Sequence, residues 1–253
     1  MTDDLFSVAG KVALVTDGAR GIGALVAQSL VEAGARVYVT APDGVLAEKA
    51  AAELSLLGDC RSLAADVSSE VGCRSLAERF GRESDAVHVL VNNAGVLHST
   101  SLDESGETGW RNALAVNLDA AVHLTKFLRP QLASASTPSD PARVLNVGSV
   151  EGLPAPHTEA YSYGASKAAV RDLTRHLAHR LAPRITVNAI TLGPFASAVV
   201  ERDLALAPGT RSLVRRHSGI DEVRGVVRFL GSRASAGITG TVVPVDGGTA
   251  AVR

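Results

Sequence analysis

Tyr163 and Lys167 stand four apart in Tyr161-Ser162-Tyr163-Gly164-Ala165-Ser166-Lys167, and Ser149 lies fourteen positions before Tyr163. Ala165, Ala169, Leu173 and Leu177 recur at helical spacing, which predicts a helix from Glu159 to Leu181. Residues four apart on a helix share a face, roughly 6 Å apart along the axis, so the phenol and the ammonium can meet. A tyrosine with an ordinary pKa near 10 is only about 0.1% ionised at neutral pH. A neighbouring cation stabilises the phenolate, and the pair can then give a proton to a nascent alkoxide or take one from an alcohol. Ser149, brought alongside, would hydrogen-bond the same oxygen. A Tyr and a Lys one turn apart are by themselves more often ordinary surface residues, so the reading depends on what else the chain carries.

The elements that must position these groups alternate. A strand from Lys11 to Thr16 runs into Asp17-Gly18-Ala19-Arg20-Gly21-Ile22-Gly23 and then an apolar helical pattern through Ala33. A glycine turn between strand and helix brings backbone close to a ligand and aims the first helical amides at it, which suits a pyrophosphate; such turns also serve simply as connections. The pattern repeats with strands at Arg36–Thr40, Arg61–Ala65 and Val87–Val91 and helices at Gly44–Leu57 and Ser69–Gly81. A long helix is expected from Thr108 to Leu132, carrying Asn117, followed by a Ser/Pro-rich loop from Ala133 to Asp140. Strands at Arg143–Val147, Ile185–Ile190 and Thr241–Val245, with a helix at Asp221–Leu230, complete the set. Alternation at this pitch implies right-handed crossovers and an α/β fold: one doubly wound parallel sheet of about seven strands, helices on both faces, in a single domain spanning residues 1–253. Ligands bind at the carboxyl ends of such strands, which puts Asp66, Asn92 to Gly95 and Ser149 on one productive edge.

Composition narrows the partners. Apolar residues make up 46% of the 253 and charged ones 20%, enough for a large core and too apolar for disorder. A net charge of −1 gives no general attraction to nucleic acid or anionic lipid. No stretch has eighteen consecutive apolar residues and the start, Met1-Thr2-Asp3-Asp4, lacks a signal-peptide layout, so a cytoplasmic protein with no membrane partner is expected. Cys60 and Cys73 do not suggest a disulfide scaffold, and the seven histidines have no ligand spacing, so no metal is assigned.

Together these motifs resemble the short-chain dehydrogenase/reductase family from about Gly10 to Gly248. The matching stretches, in the family's order, are Thr16 to Gly23, Asp66-Val67, Asn92 to Gly95, Asn117, Ser149, Tyr163 with Lys167, and Asp246-Gly247-Gly248. Asn146 to Val150 and Gly193-Pro194-Phe195 look most like the 3-oxoacyl reductase branch. The resemblance implies a Rossmann-type fold, NAD or NADP as cofactor, and hydride exchange with the carbonyl or secondary alcohol of a small-molecule substrate. It makes Tyr163 the acid/base, Ser149 the holder of the substrate oxygen, and Lys167 the group that lowers the tyrosine pKa and binds nicotinamide ribose. Asn117 would support a water-linked proton path to Lys167. Cofactor contacts implied are Thr16, Gly18, Arg20, Gly21, Ile22 and Gly23 at the first turn, Asp66 and Val67 at the adenine, Asn93, Ala94 and Gly95 on the adenosine side, and Gly193 with Phe195 near the carboxamide. It also implies a homotetramer or homodimer built through the Thr108–Leu132 and Glu159–Leu181 helices.

Three departures stand out. Asp17 replaces the family's first glycine, and its carboxylate either crowds the adenosine ribose and repels the pyrophosphate or rotates outward onto a turn amide. Thr40 and Ala41 stand where an acid usually holds the ribose of NAD, and Pro42 and Asp43 where a basic residue often meets the phosphate of NADP; Arg20 alone gives a lean to NADP, against Asp17 and Asp43. Leu192 stands where a proline usually precedes Gly193, and the segment covering the substrate, about 195–219, departs from the usual pattern before the next helix, which leaves the substrate open. A nucleotide-binding or scaffolding protein with weakened catalysis is the rival reading. A Rossmann methyltransferase would leave Ser149, Tyr163 and Lys167 without a purpose.

Overall fold

The computed structural model describes residues 5–152, 159–193, 212–214, 216 and 218–252. Seven parallel strands form one sheet in the order β3-β2-β1-β4-β5-β6-β7. They are β1 (Val12–Val15), β2 (Arg36–Ala41), β3 (Cys60–Ala64), β4 (Val89–Asn92), β5 (Ala142–Ser149), β6 (Ile185–Leu192) and β7 (Val242–Val245). The order reverses between β1 and β4, and the crevice at such a switch point is where doubly wound sheets take ligands.

The period-two alternation of strand side chains sorts the core into two layers. On one face Val15, Val37, Val39, Val89, Val91, Leu145 and Val147 pack against α1 (Gly21–Glu32), α2 (Gly44–Leu54) and α8 (Ile220–Gly231). On the other, Leu14, Tyr38, Leu90, Val144 and Val187 pack against α3 (Glu70–Glu83), α5 (Ala120–Phe127), α6 (Arg129–Ala135) and α7 (Tyr161–Leu181). Both faces being covered explains why the strands read as nearly continuous apolar runs.

The helix expected over 108–132 is three pieces. The first, α4, spans Glu107–Leu114; Ala115–Asp119 forms a π turn, then α5 follows, and α6 starts after a break at Leu128. Pro130 accounts for the break, since it lacks an amide proton and is tolerated only in a first turn, where it sits in α6. The expected loop from Ala133 accordingly begins as helix.

Far from the ligand edge, the amino ends of β1, β4 and β5 meet in an ionic cluster. Lys11 donates to Asp140 at 2.8 Å, and Arg143, 1% exposed, binds the Asp140 carboxylate and the Ser232 carbonyl. Burial pulls Lys11 and Arg143 below their ordinary pKa values while both hold the Asp140 carboxyl down. Removing one member would strand another charge in the interior.

Candidate active site

The first turn is built by close packing. Gly18 donates its amide to the Thr40 carbonyl, and a Cβ there would lie 3.0 Å from the Val39 side chain. A Cβ on Gly23 would run into the Asp17 carbonyl, so the start of α1 lies directly on the turn that precedes it. Gly21 adopts φ +53, the left-handed region that glycine enters at least cost. The residue preceding α1, Arg20, makes no capping bond with its side chain, so the first amides of the helix are left to point outward with the positive end of its dipole. Ile22 packs on the first core layer.

Thr16 and Asn93 clamp this turn to the next. The Thr16 hydroxyl accepts the amides of Asn93 and Ala94, each at 2.9 Å, and the Asn93 side-chain amide donates to the carbonyls of Thr16 at 2.9 Å and Asp17 at 3.3 Å. Both side chains are therefore committed to shaping the crevice. Beside them a cleft of about 220 Å³ is lined by Asp17, Arg20, Thr40, Asp66, Val67, Ala94, Gly95 and six neighbours. The Asp66 carboxylate accepts the Ser68 amide at 2.9 Å and so fixes its own turn at the end of β3. The glycine cradle, the uncapped amides and the cleft along the carboxyl edge fit a dinucleotide.

Gly95 joins this cleft to the groups expected to do chemistry. A Cβ placed on it would lie 3.5 Å from both the Asn117 Oδ1 and the Lys167 Nζ. Asn117, buried in the π turn, pairs with Val96 through both ends of its amide, at 2.8 and 3.0 Å, and donates to the Ser166 hydroxyl at 2.9 Å. Satisfying a neighbouring backbone is the ordinary task of such an asparagine; the extra bond to Ser166 reaches the residue next to Lys167. π turns inside helices recur at functional sites because they turn one side chain off the regular face.

Lys167 is buried, donates to the Val147 carbonyl at 2.8 Å, and holds its nitrogen 5.6 Å from the centre of the Tyr163 ring. Burial pushes its ammonium down to about 8. Ser149 closes β5, opposite Leu192 of β6, and the turn Val150–Gly152 follows it. A Cβ on Gly152 would lie 2.6 Å from the Lys167 carbonyl carbon and 2.7 Å from the Ala168 nitrogen, so the chain leaving Ser149 runs against the backbone of α7. At the far end, Gly193 donates to the Val245 carbonyl, and a Cβ there would lie 2.7 Å from the Asp246 backbone, which demands glycine. Phe195, and the covering segment expected over about 195–219 for the most part, lie outside the described residues.

Several participants escaped the sequence. The Val147 carbonyl, Ser166 and Gly152 surround Lys167, and Asn112, which contacts His98 at 3.2 Å, lines the cleft with Val116. Only Gly152 left a signal, as a glycine shortly after a strand. Asp17 follows neither expectation in full: at φ +47 it turns its carboxylate to the Arg20 Nε, at 3.2 Å, and both line the cleft. Burial raises the Cys60 and Cys73 thiols to about 11, which keeps them protonated and inert, as small core groups.

Residues 18–250 match the family model described as enoyl-(acyl carrier protein) reductase. A rhamnolipids biosynthesis 3-oxoacyl-[acyl-carrier-protein] reductase of Pseudomonas aeruginosa is 40% identical over 249 residues, covering 96% of this chain and 97% of that one. Among solved structures, the Pseudomonas aeruginosa RhlG/NADP active-site complex superposes with a TM-score of 0.91 at 39% identity, covering 98% and 99% of the two chains. A Burkholderia cenocepacia gluconate 5-dehydrogenase in complex with NADP and tartrate gives 0.89 at 27% identity, covering 99% of each. With similarity of this extent over the same strand-edge geometry, the chain belongs to the short-chain dehydrogenase/reductase family of NAD(P)-dependent oxidoreductases.

Proposed function

We propose that this single-domain protein reduces the carbonyl, or oxidises the secondary alcohol, of a small molecule, with a 3-oxoacyl thioester as the substrate class and Tyr163 as the acid/base. The observation that supports the roles most directly is the approach of the buried Lys167 ammonium to the Tyr163 ring, 5.6 Å from its centre, on the strand edge that ends in Ser149. In reduction the Tyr163 hydroxyl gives its proton to the oxygen of the nascent alkoxide. The Ser149 hydroxyl donates a hydrogen bond to that same oxygen, and Lys167 stabilises the phenolate left behind. Oxidation runs these proton movements backwards. Asn117 ties Val96 to Ser166 and so steadies the turn of α7 that carries Lys167, beside which a water-linked path would return the proton.

A bound nicotinamide supplies or accepts the hydride. Gly18, Arg20, Gly21, Ile22 and Gly23 would hold its pyrophosphate, Asp66 and Val67 its adenine, and Thr16, Asn93, Ala94 and Gly95 the adenosine side. Gly193 and Phe195 would meet the carboxamide, and Lys167 with Tyr163 the nicotinamide ribose. Arg20, the group that a 2′-phosphate of NADP would meet, has its guanidinium paired with Asp17, so the choice between NAD and NADP turns on that pair. Among the described residues no helix is long and apolar enough to cross a membrane, which fits a cytoplasmic homotetramer or homodimer acting on a diffusible substrate.

The 3-oxoacyl reading follows the name of the 40% identical relative. Absorbance of NADH or NADPH at catalytic enzyme concentration, with acetoacetyl-coenzyme A set against 5-keto-gluconate, tests it. Faster oxidation with the thioester is expected; a preference for the sugar acid would move the substrate class to polyols.

A further inference from the structure

The adenosine corner of the cleft is arranged around Asp17. In doubly wound nucleotide sites an acid at the end of the second strand receives the ribose hydroxyls of NAD, whereas a nearby arginine receives the 2′-phosphate of NADP. Here β2 ends in Thr40 and Ala41, which carry no charge. Thr40 instead faces the first turn: its hydroxyl oxygen lies 3.4 Å from the Asp17 amide, and its carbonyl accepts the Gly18 amide at 2.9 Å. The Asp17 backbone therefore lies against the very strand end that lacks an acid, and its side chain lines the same cleft as Thr40. Asp43, the next carboxylate along, is spent on capping α2, accepting the amides of Val45 and Leu46.

The balance of charge points the same way. Among the described residues lining the cleft, the charged ones are Asp17, Arg20 and Asp66. The sole cation of the three is held by Asp17 at 3.2 Å, with the carboxylate well covered, 18% exposed, and the arginine 64% exposed. A phosphate on the 2′ oxygen would have to displace this partner and then lie beside its carboxylate. A ribose with both hydroxyls unsubstituted would donate to that carboxylate and leave the ion pair standing. Asp17 holds φ +47, a conformation that glycine adopts more cheaply, so its presence is not explained by the needs of the turn.

We propose that Asp17 is a specificity-determining residue that takes over the role of the missing strand-end acid, selecting the unphosphorylated dinucleotide NAD(H) against NADP(H). The inference rests on the dinucleotide-dependent reading of the site and departs from the NADP named with the two solved relatives above.

Equilibrium titration of the fluorescence of NADH and of NADPH tests it without turnover, on the parent chain, Asp17→Asn and Asp17→Gly. Asn keeps the shape and a left-handed preference without the charge, and Gly relieves the backbone, so at least one variant folds as the parent does. The parent is expected to bind NADH tighter than NADPH by at least about tenfold at low ionic strength, and both variants to bring the ratio to within about threefold by gaining affinity for NADPH. A parent that favours NADPH, or a ratio unmoved by both substitutions, overturns the proposal and leaves the dinucleotide reading intact. Failure of the parent to bind either nucleotide overturns both together.

Discussion

The Val147 carbonyl accepts the Lys167 ammonium at 2.8 Å, two residues before Ser149 on the same strand. β5 thus carries the serine and also fixes the lysine, whose nitrogen stays 5.6 Å from the Tyr163 ring centre. Such a lysine is an electrostatic fixture with few rotamers left, which suits stabilisation of a phenolate without reorganisation.

Tyr163→Phe removes the hydroxyl and keeps the ring that faces Lys167. Turnover is expected to fall by about 10²–10⁴-fold, the usual contribution of a positioned acid/base, while the melting temperature changes little and nucleotide Kd rises far less than turnover falls, by the loss of one ribose contact. Turnover within a few-fold of the parent would remove Tyr163 from the mechanism.

Lys167 links activity to pH and to stability. Its ammonium is lowered by burial from 10.5 to about 8, so between those values the unfolded chain holds a proton that the folded chain has released. Stability from this group therefore rises with pH across that window, and the cost of the buried charge, about 3 kcal/mol at most, is present in full below pH 8. Lys167→Met should lose catalysis yet gain more in melting temperature relative to the parent at pH 7 than at pH 10. Reduction by the parent should decline as pH passes about 8, where the cation is lost. An equal stability difference at both pH values would show that Lys167 is not the titrating group.

What could be read in the sequence was local. Strand runs, the glycine turn and the i to i+4 spacing of Tyr163 and Lys167 are set by a few neighbouring residues, and the motifs at Asp66, Asn93 and Ser149 all fall at carboxyl strand ends. The break before α6 has a signal in Pro130, but the apolar spacing on either side reads as one helix from Thr108 to Leu132, and that reading misses the break. The π turn at Asn117 was not legible, since its apolar neighbours fit an ordinary helix equally well and the wider turn goes with bonds from Asn117 to Val96 and Ser166, which are distant in the chain. Nor was the Asp17–Arg20 pair, which depends on a backbone angle and two rotamers rather than on spacing.

Thr16 offers a test of the clamp. Thr16→Val keeps the volume but leaves the amides of Asn93 and Ala94 without their shared acceptor. A loss of about 1–3 kcal/mol in urea unfolding is expected, with weaker nucleotide binding, because the turn after β4 is no longer tied to the turn after β1. Thr16→Ser retains the hydroxyl and should recover most of both. If serine is as damaging as valine, methyl packing and not the hydroxyl holds the two turns.

Gly152 decides how closely Ser149 approaches α7. A Cβ at 2.6 Å from the Lys167 carbonyl carbon and 2.7 Å from the Ala168 nitrogen meets rigid helix backbone, so in Gly152→Ala it is the turn after β5 that must move. That shift carries Ser149 away from the Tyr163 face, and misplacing a positioning group by about 1 Å can cost on the order of 100-fold in rate. The expected signature is a lower kcat and a lower melting temperature with nucleotide Kd retained, because the turn at Gly23 and the clamp at Thr16 lie on other strands. Because lowered stability alone would also accompany a general packing defect, the deciding measurement is kcat well below the melting transition. A kcat equal to the parent's there would mean that Ser149 keeps its place without Gly152, and that the close contact with α7 serves packing only.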